Sequence, residues 1–112
     1  MYRQGDVLLV PINRLPQNRG DLQSRDDAGR VVLAEGEVTG HAHAISAPGA
    51  DLYGDDLIRR FLAVLDEGGV DLNHEEHATI HLPKGRYRVV RQRQWIYPSD
   101  PIDRGHAVWV RD

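Results

Sequence analysis

Two short runs hold four of the six histidines in this chain, GHAHAI at residues 40–45 and HEEH at residues 74–77. Residues two apart in a strand point to one face, so His41 and His43 are expected side by side, with Glu37 and Thr39 upstream on the same face. His74 and His77 are three apart, a spacing that converges in a turn and diverges in a strand. HEEH is therefore expected at a corner. Imidazoles arranged in this way can hold one metal ion, with Glu75 or Glu76 as the oxygen donor. The expected centre uses His41, His43, His74 and His77 for a divalent ion such as Zn, Fe, Ni or Mn. The chain has no cysteine, which excludes thiolate zinc sites, thiol nucleophiles and disulfides together, and is consistent with a site of nitrogen and oxygen ligands.

A plainer reading stands beside this one, because histidines are common on solvated strand faces and short motifs match by chance. His81 and His106 are expected to be surface or hydrogen-bonded histidines. No Ser-His-Asp arrangement is defensible from residue order, and Gly20, Gly29, Gly36 and Gly40 do not form a phosphate-cradling loop. Ser46 lies near the first histidine pair, but a serine in a turn is expected without chemistry. Glu75 and Glu76 alternate sides in an extended chain and make no obvious acid–base couple.

The elements that must position these residues read as strands. Eleven glycines and six prolines interrupt short runs rich in Val, Ile and Leu, a punctuation that favours strands over helices. DVLLVPI (residues 6–12) is a first strand, followed by a long polar loop over residues 13–30. Residues 30–45 form one bent strand or two consecutive ones, with Gly36 and Gly40 as bend or bulge positions. APGADLYGDD (residues 47–56) reads as a turn region. LIRRFLAVL (residues 57–65) also fits a helical stripe, but its length of nine residues and the flanking glycines make it a strand here. HATIHL (residues 77–82) alternates, PKG is a turn, RYRVVRQRQWIY alternates again, and HAVWVR is a final strand after the PSDP loop. Six or seven strands in a single domain over residues 1–112 describe an all-β fold, a small antiparallel barrel or sandwich.

Of the 112 residues, 40% are hydrophobic and 28% charged, ordinary values for a globular domain. No run approaches a membrane span, and the apolar stretch near the N-terminus is too short for a signal peptide, so a cytoplasmic protein with no membrane contact is expected. The net charge of −3 is unevenly spread. Residues 51–76 carry eight acidic groups against two arginines, while residues 84–93 carry five basic groups and no acidic one. Arg86, Arg88, Arg91 and Arg93, interleaved with Tyr87 and Trp95, offer contacts for a single-stranded nucleic acid. The same arginines suit a solvated edge strand that discourages edge-to-edge pairing, the reading favoured by an acidic chain. Open edges also make homo-oligomerisation an expectation.

The runs EGEVTGHAHAI and NHEEHATIHLPKGRYRVVRQRQW, with the opening MYRQGDVLL, resemble a family of small, largely uncharacterised bacterial and phage proteins. Its pattern is GEVTGHAHxI followed by HEEHxxIxLPxGxYxVxRQRE. The resemblance covers most of residues 31–97; it is specific as a family signature and implies no particular reaction. Here Gln94 stands where the pattern has an acidic residue, so this chain has no carboxylate at that place. More distantly, an HxH strand followed by a later histidine and a P-x-G turn is similar to the metal-binding arrangement of cupins. That likeness implies His41, His43 and one of His74 or His77 as ligands. The glutamate that cupins place shortly after the HxH pair is missing, and only Asp51 follows.

Overall fold

The structure, a computed structural model, describes residues 1–36, 40–54, 59–96 and 106–109. It is all-β: the described residues contain eleven short strands and no helix, and none of them offers a helix long and apolar enough to cross a membrane. The strands are β1 (Tyr2–Gln4), β2 (Val7–Ile12), β3 (Val31–Glu35), β4 (Ala42–Ile45), β5 (Ala50–Tyr53), β6 (Arg60–Val64), β7 (Val70–Leu72), β8 (Ile80–Leu82), β9 (Gly85–Arg91), β10 (Arg93–Ile96) and β11 (His106–Trp109). The count exceeds the six or seven expected. β1 and β7 are only three residues long, too short to carry a periodic signal, and β5 occupies the region read as a turn.

A five-stranded antiparallel sheet runs in the order β1-β2-β9-β6-β5. Residues 21–23 of the long loop lie along the outer edge of β5. Gln23 N–H donates to Leu52 O at 2.8 Å and Gly54 N–H to Asp21 O at 2.9 Å, so that edge is covered rather than left as a pairing template. The run over residues 30–45 resolves into two antiparallel strands, β3 and β4, with Val31 opposite Ile45 and a register shift between Val32 and Ala34. The shift lets adjacent Leu33 and Ala34 both sit in the interior, which a regular strand forbids. β7 and β8 form a second hairpin. Ala44 and Asn73 exchange two backbone hydrogen bonds of 3.0 and 2.9 Å and tie this hairpin to the first.

Both groups feed one core. Val7, Leu9, Leu52, Leu62 and Val89 enter from the five-stranded sheet, and Leu33, Ile45, Leu72 and Leu82 from the hairpins. β3 packs beside β5 and β1 beside β8, but no hydrogen-bonded ladder joins either pair, so no sheet closes on itself among the described residues. β10 and β11 pair with each other.

Alternation holds along β9, where Tyr87 and Val89 are buried and Arg86 and Arg88 exposed. The edge-strand reading of this segment is corrected: β9 is central, hydrogen-bonded to β2 on one side and β6 on the other. Its arginines project from the face of the sheet and protect no edge. Residues 60–64 of the run read as a strand over 57–65 are β6, while Leu57 and Ile58 lie outside the described residues. So do Glu37, Thr39, the PSDP loop and the side chains of Arg93, Gln94, Trp95 and His106.

Candidate metal centre

The two histidine runs meet. β4 and the corner between β7 and β8 are held together by the Ala44–Asn73 bridge and by Ala42 N–H, which donates to Glu75 Oε1 at 2.8 Å. HEEH occupies that corner, as its spacing requires. The ring centroids of His43 and His74 are 4.4 Å apart, those of His74 and His77 4.7 Å, those of His43 and His77 6.0 Å, and those of His41 and His74 5.6 Å. His43, His74 and His77 thus form a compact group, with His41 at its margin. His43 is fully buried and His74 is 8% exposed. Among the described residues, no group of three or more His, Asp or Glu side chains is placed to hold a metal ion; the imidazoles pack against one another.

Two residues that sequence reasoning missed complete the site. Gln4, at the end of β1, is buried. Its Nε2 donates to Leu72 O at 2.8 Å and to Ala78 O at 3.0 Å, and its Oε1 lies 2.9 Å from His43 Nδ1. Both carbonyls accept only, which fixes the orientation of the amide: Oε1 must accept, so His43 Nδ1 must donate. Asp6, between β1 and β2, is fully buried. Arg91 Nε donates to its Oδ2 at 2.6 Å, and Arg91 Nη2 donates to Glu35 O at 2.7 Å. Asp6 Oδ1 stands 3.3 Å from His43 Nε2. A polar residue beside a glycine at the mouth of a strand reads locally as a turn. No signal near Asp6 points to a partner 85 residues away.

The tautomer of His43 follows from these contacts. With its proton on Nδ1, a neutral His43 keeps the Nε2 lone pair as an acceptor or metal-ligating atom, 3.3 Å from Asp6 Oδ1. Two donors bound to one ion at about 2.1 Å, at angles from octahedral to tetrahedral, stand about 3.0–3.4 Å apart. A charge-assisted N–H···O contact is shorter, about 2.7–2.9 Å.

The remaining members divide their work. Glu76 N–H donates to His74 Nδ1 at 3.0 Å, so neutral His74 carries its proton on Nε2 and presents a donor to the cluster in this conformation. Burial raises the Glu75 carboxyl, but the Ala42 amide, its own amide and the nearby His74 and His41 together bring it below the ordinary carboxylate value. Glu75 is thereby a clamp between corner and strand. Glu76 is exposed, with Oε1 3.9 Å from His41 Nδ1.

His81 stands apart from the centre, as expected. Its Nδ1 meets Asp71 Oδ1 at 2.9 Å and its Nε2 meets Gly68 O at 2.8 Å. The hydrogen bond to Asp71 raises its pKa. Of the four arginines read as contacts for a nucleic acid, Arg91 is committed to Asp6. Arg86 and Arg88 are exposed and make no side-chain hydrogen bond or ion pair among the described residues. No curated protein and no solved structure matches this sequence. Residues 3–92, a span that includes every member of the centre, match the family described as a domain of unknown function, DUF8820, and the chain belongs to that family.

Proposed function

We propose that this domain binds a single divalent transition-metal ion in the cluster of His41, His43, His74 and His77, with Asp6 as an added oxygen donor. The observation that carries the reading is the facing pair of His43 Nε2 and Asp6 Oδ1, at the separation of two ligands on one ion. The hydrogen bond from His43 Nδ1 to Gln4 supports it, because metal-bound imidazoles commonly donate their other N–H to a fixed oxygen. His77 lies within ring contact of His43 and adds a third donor. His74 ligates only after its ring turns away from the Glu76 amide. Neutral imidazoles with one carboxylate suit Zn, Fe, Ni or Mn. The same reading takes the seams between β1 and β8 and between β3 and β5 as the closures of a small distorted barrel. That is the setting in which a cupin-like HxH strand holds its metal.

The test is elemental analysis of untagged protein purified without added metal, beside His43→Ala. Near-stoichiometric metal, lost in the variant, is the expected result. The proposal fails if the native protein is metal-free and its melting temperature ignores both chelator and each of the four ions.

A second reading rests on Arg86 and Arg88, which point outward from the central strand without partners among the described residues. It makes this face a contact surface for an anionic partner, a single-stranded nucleic acid or another subunit. Association that weakens steeply with salt and is lost in Arg86→Gln/Arg88→Gln is its signature.

A further inference from the structure

Arginine is rarely directed into a protein interior, yet two arginines here face inward on neighbouring strands. Arg60 shares its side of β6 with the core residues Leu62 and Val64, and Arg91 shares its side of β9 with Tyr87 and Val89. Arg60 is paired across the sheet with Val89, two residues before Arg91, so the two side chains are diagonal neighbours on one face. They border a cleft of about 650 Å³ whose walls include Val31, Val32 and Leu52. That volume is within the range of small-molecule sites, and an apolar wall with a few convergent polar groups is their usual lining.

The Arg60 guanidinium is fixed at the cleft, its Nη1 donating to Leu33 O at 2.8 Å, and its charge has no carboxylate partner among the described residues. The acidic group beside it does not neutralise it: Asp26 is held by Arg30 Nε and Nη2, both at 2.9 Å. Glu35 is exposed at the rim, where it disfavours a multiply charged ligand.

We propose that this cleft binds a small organic acid, with its single anionic group on Arg60 and its apolar body against Val31, Val32 and Leu52. The site is independent of the metal reading: Arg91 borders the cleft but is held by Asp6.

Hexanoate is the probe, titrated into chelator-treated 15N-labelled protein and followed by amide shifts. Hexanol serves as its neutral counterpart and acetate as the anion without an apolar body. The expected result is a dissociation constant on the order of 1 mM for hexanoate, with shifts centred on residues 31–36 and 60. Hexanol and acetate are expected to bind at least about tenfold more weakly, and Arg60→Gln to lose a similar factor for hexanoate. Absence of saturable shifts, shifts centred elsewhere, or hexanol matching hexanoate overturns the proposal. Should Arg60→Gln fail to fold, the map on the native chain and the comparison with hexanol decide the matter unaided.

Discussion

Gln4 holds three parts of the molecule at once, and its removal gives the sharpest test of the site. Its side chain bonds Leu72 O at the end of β7, Ala78 O before β8 and the imidazole of His43 on β4. Gln4→Met keeps the length and apolar volume of the side chain and removes all three bonds. Each buried hydrogen bond contributes about 1 kcal/mol net, and the stranded carbonyls and imidazole N–H add to the loss, so the expected cost is about 3 kcal/mol. A domain of this size then melts about 10–15 °C lower. Urea unfolding followed by circular dichroism should show a lower midpoint with an unchanged slope. A cycle with His43→Ala should reveal coupling of at least about 0.5 kcal/mol, because the two residues share a bond. Metal affinity should also fall about 10- to 100-fold, since the His43 ring loses the acceptor that orients it. A Gln4→Met protein within about 0.5 kcal/mol of the native one refutes the reasoning, as does zero coupling to His43. Either result means that Gln4 does not set the tautomer.

Other outcomes follow from the same contacts. His74→Ala should lose metal less completely than His43→Ala, because His74 Nδ1 is occupied by the Glu76 amide; elemental analysis of the two variants in parallel decides it. His81 gains its raised pKa from Asp71, so the clasp on residues 68–71 is fully present below the ordinary value of 6.5 and is lost as pH rises through the raised, folded value. Melting temperature followed from pH 6 to 9 should contain this fall, and Asp71→Asn should flatten it. Asp26 is lowered chiefly by the Arg30 amide, so its contribution is present above 3.8 and lost as pH falls through the folded value; Asp26→Asn should remove that acid-side loss. Gly54→Ala should cost more than about 2 kcal/mol, because φ is +93° and the new Cβ meets the carbonyl oxygen of Arg59. Gly29→Ala, at φ +78° in open space, should cost only about 1 kcal/mol. Chemical denaturation of the two variants compares them directly.

Of the histidine half of the candidate centre, the corner position of HEEH was legible because three-residue spacing is a property of a few neighbouring residues. The HAHA alternation was less so: β4 begins at Ala42 and is buried along its whole length, and His41, outside it, meets the ring of His74. The Asp6 and Gln4 half was not legible. A buried carboxylate is recognised by its partner, and Arg91 is 85 residues away. The central position of β9 was hidden for the same reason: strand order is a long-range property, and an alternating arginine strand looks alike at an edge and in the middle of a sheet. Antiparallel all-β character survived because glycine and proline punctuation is local. The strand count did not, since β1 and β7 borrow their order from β2 and β8, with which they pair.

The centre joins residues far apart along the chain: Gln4 reaches His43 over 39 positions, Leu72 over 68 and Ala78 over 74. Contacts of such separation form late, after the loops between them have been closed at an entropic cost. No single hairpin among the described residues contains the candidate centre, and a chain folded only as far as β8 lacks the arginine that holds Asp6. An ion that recognises the assembled geometry therefore acts on the whole folding equilibrium, slowing global opening while leaving the fraying of single hairpins untouched.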